Sequence, residues 1–212
     1  MSSADAPEIP AAGAGPRAEA LARSPQDLAL LAAWQAGDAR AGDALARYYE
    51  PQVRRFFCDK VRDFEVDDLV QQTWEAMVQA RDRLGSGPDG IASFRAYLYG
   101  AARLVLFGHF RRLRKSQQFD PGVSSLEDLA PSPSAQVSAY AKLERLAAAL
   151  RKLPLEQQIL LELRYAHEMT SAEIATAHGI PQGTAKSRLR VARQRLDAQL
   201  LRMGLAPAST TS

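Results

Sequence analysis

Residues 170–195, TSAEIATAHGIPQGTAKSRLRVARQR, read as two helices joined by a tight turn. Thr170 and Glu173 have capping-box spacing, in which hydroxyl and carboxylate satisfy free backbone donors, so a helix begins near Ser171. Gly179 can adopt the left-handed conformation that ends it. Pro181 has its φ already set for the first position of the next helix. At about 100° per residue, Ala185, Leu189, Ala192 and Leu196 share one face of that second helix. Lys186, Arg190 and Arg193 fall on the adjoining face with Ser187 and Gln194. One face packs and the other is cationic. That is a helix-turn-helix whose second helix suits a DNA major groove, where Arg and Lys clasp guanine edges or phosphates. A basic helix face alone would equally suit solvent. The cap, turn and preceding helix together point to DNA.

Upstream of this stretch, residues 140–153 and 156–167 give two more helices broken at Pro154, with Leu143, Leu146, Leu150, Ile159, Leu160 and Leu163 inward. Residues 116–137, SQQFDPGVSSLEDLAPSPSAQV, lose helical periodicity and read as a flexible linker with Asp120, Glu127 and Asp128. Its 22 residues span at most about 70 Å when extended. Residues 94–115 form a long helix with Tyr97, Leu98, Ala101, Ala102 and Val105 toward the core, ending in the basic run FRRLRK. Residues 83–93 are a loop by composition.

A further helix runs from about 67 to 82, with Asp67 as its cap. Leu69, Val70, Thr73, Trp74 and Met77 lie on one side, and Asp68, Gln71, Gln72, Glu75 and Gln79 on the other. That acid-and-amide face fits either solvent or a partner rich in Arg and Lys. Before it, an apolar stripe with Leu28, Leu31, Ala32 and Trp34 stops at Gly37. A second run from 39 to 59 carries Leu45, Tyr48, Tyr49, Val53, Phe56 and Phe57, with Pro51 expected to bend it. Residues 1–25 are rich in Ala, Pro, Gly and Ser and are expected to be disordered.

The 212 residues, 46% hydrophobic, suffice for two small cores. The net charge of +3 is modest, but basic residues concentrate in 95–115 and 182–202, which points to a long polyanion. A lone cysteine, Cys58, excludes an intrachain disulfide and is expected to be a core thiol. No apolar run approaches the roughly 20 residues of a membrane span, and no signal peptide is present, so a cytoplasmic location without membrane insertion is expected. His109, His167 and His178 are scattered. No Ser/His/Asp, zinc or phosphate-loop spacing occurs, so neither catalysis, a metal nor a cofactor is expected.

With both halves read, the chain resembles the extracytoplasmic-function, or group 4, sigma factors of bacterial RNA polymerase. The resemblance rests on DDLVQQTWEAMVQ (67–79) and FRAYLYGAARLVLFGHFRRLRK (94–115) for region 2. LRKLPLEQQILLELRY (150–165) and AEIATAHGIPQGTAKSRLRVARQRL (172–196) carry it for region 4. It implies an all-α fold of two small helical domains: region 2 over 26–115, a linker over 116–137 and region 4 over 138–202, between tails at 1–25 and 203–212. It implies that Asp68, Gln71, Gln72 and Glu75 dock on the clamp helices of the polymerase largest subunit, and that region 4 meets the flap of the second largest. The loop 83–93 and the helix from Phe94 would read and open the −10 element, with Arg111, Arg112, Arg114 and Lys115 on phosphates. Lys186, Ser187, Arg190 and Arg193 would contact the −35 element. The linker would thread toward the active-site and RNA-exit path. An anti-sigma factor is a further partner that the resemblance suggests.

Leu104 and Gly108 depart from the Asn and Asp common in the family, and Val191 stands where a basic residue is frequent. A helix-turn-helix regulator acting without polymerase, as a dimer on palindromic sites, stays open as the alternative.

Overall fold

In the computed structural model the described residues are 16–84, 93–114, 119–129 and 141–205, with side chains described from residue 25 and, in the last segment, from 144. Among them every regular element is helical: α1 (Pro16–Gln35), α2 (Ala39–Cys58), α3 (Asp63–Ala80), α4 (Phe94–Leu113), the short α5 (Leu126–Leu129), α6 (Ala141–Arg151), α7 (Leu155–Tyr165), α8 (Ser171–His178) and α9 (Gln182–Arg202).

The elements start where local chemistry permits. Asp38 caps α2 by accepting from the Arg40 N–H. Glu65 reaches back to accept the Arg62 N–H at 3.0 Å, so α3 begins at Asp63 rather than Asp67. Asp67 instead pairs with Arg54 of α2. The helix α1 starts at Pro16, inside the stretch expected to lack structure, and runs through Pro25. Helix α2 likewise continues through Pro51, which lies on its exposed side.

Helices α1 to α4 enclose Leu45, Tyr49, Val53, Phe56, Phe57, Leu69, Met77, Leu98 and Leu106, all essentially buried. Tyr48 stays partly exposed, stacked edge-on against Tyr49. Cys58 is exposed at the end of α2, not a core thiol. Helices α6 to α9 form the second domain, with Ile159, Leu160, Leu163, Ile174, Ala185 and Ala192 inward.

The two domains share one continuous apolar core, because α4 lies between α3 on one flank and α8 on the other. A helix flanked twice buries residues all round. Phe94, Arg95, Ala96, Leu98, Tyr99, Ala102, Leu106, Phe107, His109 and Phe110 are therefore buried, whereas Tyr97, expected inward, is 37% exposed and Ala101 and Val105 are half-buried. A smaller cluster of Leu153, Leu161 and Ala192, backed by Leu150 and Leu196, closes the far side of the second domain.

Part of the linker is anchored between the domains. Phe119 packs on Phe107 and Phe110, and Leu126 is fully buried. The Leu155 N–H donates to Ser124 O at 2.9 Å and the Glu156 N–H to Pro121 O at 2.9 Å. Residues 1–15, 85–92, 115–118, 130–140 and 206–212, and the side chain of Leu143, lie outside the described residues; these include most of the loop expected at 83–93, Lys115 of the basic run, and the outer parts of both tails.

Candidate nucleic-acid interface

The helix-turn-helix forms as its sequence dictates. Thr170 Oγ1 accepts the Glu173 N–H at 3.2 Å while Glu173 Oε2 accepts the Thr170 N–H at 2.9 Å, closing the capping box on α8. Gly179 ends α8 at φ +64°, the left-handed region that glycine enters without steric cost. Pro181 is the cap residue of α9, one position earlier than its expected place as first helical residue. Gln182 Nε2 donates to Ser171 Oγ at 3.1 Å and staples the turn.

That turn fixes what α9 presents. Ala185 and Ala192 are fully buried and Leu189 and Leu196 partly so, leaving Lys186, Ser187 and Arg190 exposed on the outer face. Arg193 is half-buried: Nη1 donates to Tyr165 Oη at 3.3 Å and Nε lies 3.9 Å from Asp197 Oδ2. Arg188 is also held, 3.0 Å from Glu156 Oε1. Neighbouring cations thus differ in freedom. Lys186 and Arg190 are exposed, whereas Arg188 and Arg193 are held by Glu156 and by Tyr165 and Asp197.

Glu156 lies below the usual carboxylate range because His178 and Arg188 face it. His178, fully buried at its side chain, is lowered by that burial, against which the same carboxylate 3.8 Å away pulls upward.

In the first domain, Arg111 and Arg112 are exposed at the end of α4, and Arg114 donates to the Asp128 carbonyl. Arg112 Nη2 donates to Gln72 Oε1 at 3.2 Å, so the basic end of α4 touches the acid-and-amide face of α3. On that face Asp68, Gln71 and Glu75 are exposed, Gln71 donates to Glu75 at 2.9 Å, and Gln72 is half-buried. The two groups expected to serve polymerase and DNA are adjacent surfaces.

Leu104 is 61% exposed at the floor of a cleft of about 660 Å³ between α3 and α8, whose other lining includes Gln79, Tyr97, Val105 and Thr176. Leu104 and Val105 give this cleft an apolar floor. No group of His, Cys, Asp and Glu among the described residues could hold a metal, and no described helix is long and apolar enough to cross a membrane.

The structure also assembles residues that the sequence did not single out as a group. Arg95 of α4 forms a two-point pair with Glu173 of α8, Nε to Oε1 at 2.7 Å and Nη2 to Oε2 at 2.8 Å. Burial alone would raise Glu173, but Arg95, the Thr170 N–H and Ser93 together hold it down at about 2. Lys60, its side chain 1% exposed, pairs with Glu162 of α7 at 2.6 Å. The one available signal was Arg95 itself, a cation among Phe94, Ala96 and Leu98. Glu173 was already explained by its cap, and nothing local foretells a second partner.

Two small helical domains in this order, one with a cationic helix-turn-helix and the other with an acid-and-amide helix beside a basic one, define a promoter-recognition protein of the sigma type. Residues 45–116 match the family model for Sigma-70 region 2 and residues 143–196 that for Sigma-70 region 4. The chain is 35% identical over 201 residues to the ECF RNA polymerase sigma factor SigM of Mycobacterium tuberculosis, covering 91% of this chain and 90% of that one. It is 32% identical over 140 residues to the ECF RNA polymerase sigma factor SigF of Caulobacter vibrioides, covering 65% and 72%.

Among solved structures, it resembles CnrH in complex with the cytosolic domain of CnrY, with TM-score 0.57, 25% identity and coverage of 83% of this chain and 97% of that one. It also resembles the sigma factor RpoE bound to the anti-sigma factor NepR from Bartonella quintana, with TM-score 0.55, 25% identity and coverage of 75% and 96%. The chain belongs to the extracytoplasmic-function sigma factors of RNA polymerase.

Proposed function

We propose that this sigma factor brings core RNA polymerase to a subset of promoters through two dissimilar DNA elements. In this reading Asp68, Gln71, Gln72 and Glu75 dock on the basic clamp helices of the largest subunit, and the second domain meets the flap of the second largest. Lys186, Ser187 and Arg190 enter the major groove of the −35 element, with Arg193 on the flanking backbone. Arg111, Arg112, Arg114 and Lys115 hold phosphates near the −10 element, where loop 83–93 and α4 capture an unstacked base.

The observation that carries the reading is the exposed trio Lys186, Ser187 and Arg190 on a helix whose opposite face is locked by Ala185 and Ala192. Phosphate contacts set affinity and base-edge contacts set sequence preference. The action is binding rather than covalent catalysis, and it takes place in the cytoplasm. An anti-sigma protein belongs to the same reading, by analogy with the CnrY and NepR complexes.

The test is size-exclusion co-elution with bacterial core RNA polymerase, beside a variant carrying Asp68→Lys, Gln71→Lys and Glu75→Lys. Wild type should join the core and the variant should not. A wild type that stays apart from a competent core yet binds palindromic DNA as a dimer would instead support the polymerase-independent regulator.

A further inference from the structure

Helix α4 carries two glycines in its interior, and packing explains only one of them. At Gly100 an added Cβ would lie 3.1 Å from Ala177 O, so glycine is what admits α8. At Gly108 the same atom would meet only Arg112 Nη1, at 3.6 Å, an ordinary contact with the end of a movable side chain. Glycine inside a helix destabilises it relative to alanine. At Gly108 that cost admits no neighbour of this chain, and it leaves room for something from outside.

Gly108 lies in the cleft between α3 and α8, and the turns before it continue the same surface. Tyr97, Ala101, Leu104 and Gly108 recur at helical spacing and form one stripe along α4, roughly 16 Å long. Tyr97 is 37% exposed and Leu104 61% exposed, so the stripe is open to solvent. Just past Gly108, Arg111 and Arg112 are exposed in the last turn. The floor made by Ala101, Leu104, Val105 and Gly108 has no side-chain donor or acceptor, and its backbone groups are paired within the helix. A ring at one end, an apolar floor and cations at the other end are the parts that hold single-stranded nucleic acid. The ring stacks, the floor covers bases and the cations take phosphates. A volume of about 660 Å³ suits unstacked bases rather than a duplex.

We infer that this stripe selects thymine in the −10 element by its methyl group, with Leu104 as the specificity-determining side chain. Such a site rests on the −10 role proposed above for α4 and adds how the base is chosen. Thymine alone among the four bases carries an apolar substituent. Leu104 gains by covering that methyl and offers nothing to an amino group, which would be buried there without a partner. Gln79, exposed on the α3 wall, can bond the polar edge of the base from the side. Gly108 lets the sugar-phosphate backbone pass close to α4 on its way to Arg111 and Arg112.

The test uses the full chain bound to core RNA polymerase, with a DNA library randomised across both promoter elements as probe. Transcribed members should share a thymine at one or more −10 positions of the non-template strand. Resynthesis with deoxyuridine at those positions removes the methyl alone, and should slow open-complex formation about fourfold, the worth of one buried methyl. Leu104→Ala should bring the thymidine-to-deoxyuridine ratio close to one, and Leu104→Asn should select a different base. Leu104 is exposed, so neither change disturbs the core. Gly108→Ala should raise the thermal midpoint of the chain, because alanine favours the helix, yet lower transcription from the selected promoter several-fold. A glycine with a purely structural role could not give that split. Binding to an isolated −35 duplex should be unchanged in every variant.

Equal rates with thymidine and deoxyuridine at every −10 position would overturn the inference, as would a ratio unchanged in Leu104→Ala or full transcription by Gly108→Ala. Failure of the wild-type holoenzyme to transcribe any member of the library would overturn the proposed function itself, and the thymine site with it.

Discussion

Replacing Lys60 by Met tests the packing of the two domains without touching any surface proposed to meet DNA or polymerase. Lys60 sits in the turn after α2 with its ammonium 2.6 Å from Glu162 Oε2 and 4.2 Å from the Phe56 ring centroid. Methionine has comparable length and would keep the packing on Phe56, so what is lost is the charge. Removing one partner of a fully buried pair costs about 3–5 kcal/mol, because the remaining charge is stranded in a poorly solvating site. The Glu162 side chain is 19% exposed and also lies 3.9 Å from His167 Nε2, which lowers the expectation to about 2–3 kcal/mol.

With a urea m-value of about 2 kcal/mol/M, the unfolding midpoint should fall by about 1–1.5 M. The pH dependence has a definite sign. Burial would raise Glu162, but Lys60 and His167 hold it below its ordinary value, so in wild type its contribution is present above about pH 4.3 and lost as pH falls. Without Lys60 the burial effect prevails and the carboxyl protonates readily, so the deficit of Lys60→Met should be largest near pH 7 and shrink toward pH 4. Tryptophan fluorescence follows the first domain through Trp34 and Trp74, and circular dichroism follows both. Because the pair bridges the domains, both midpoints should move. A shift below about 0.3 M at pH 7 would refute the burial of Lys60 against α7, and with it the closed packing.

Arg190→Ala should weaken −35 duplex binding by about 1–3 kcal/mol and relax preference at one base pair, whereas Lys186→Ala should lower the slope of log affinity against log salt by about one, both read by fluorescence anisotropy. Glu173 is held at about 2, so its contribution is present above about pH 4.3 and lost as pH falls toward 2. Glu173→Gln should accordingly flatten the acid limb of the stability profile over that interval, measured by urea midpoints at stepped pH. Gly179→Ala places a side chain at φ +64° and should lower stability of the second domain by about 1–2 kcal/mol in thermal unfolding, although no neighbouring atom would clash.

The helix-turn-helix was legible because its signals are local. Thr170 and Glu173 cap each other, and Gly179 takes the positive φ that its position demands. The inward set Ala185, Leu189, Ala192 and Leu196 followed from period alone and holds in the structure. Helix α4 was less legible because it has two neighbours rather than one. A single apolar stripe placed Tyr97, Ala101 and Val105 inward, whereas contact with both α3 and α8 turns them toward the cleft and buries Arg95 and Tyr99 instead.

Asp67 looked like a cap by residue type, but the pairing of Glu65 with the Arg62 N–H sets the start of α3 one turn earlier. In the linker, Phe119 and Leu126 are isolated apolar residues in a polar stretch, and burial of isolated residues leaves no periodic trace. The Arg95–Glu173 and Lys60–Glu162 pairs join residues far apart in sequence, and each partner already had a local role or none. Only the tertiary arrangement gives them a joint one.

The most direct test of the account is transcription by core RNA polymerase reconstituted with this protein on genomic DNA fragments, with the 5′ ends of the transcripts mapped. The account predicts starts absent with core alone, preceded by two dissimilar shared elements, and lost when Lys186 and Arg190 are both changed to Ala. Starts no different from those of core alone, under conditions where the protein is folded and bound to the core, would contradict it.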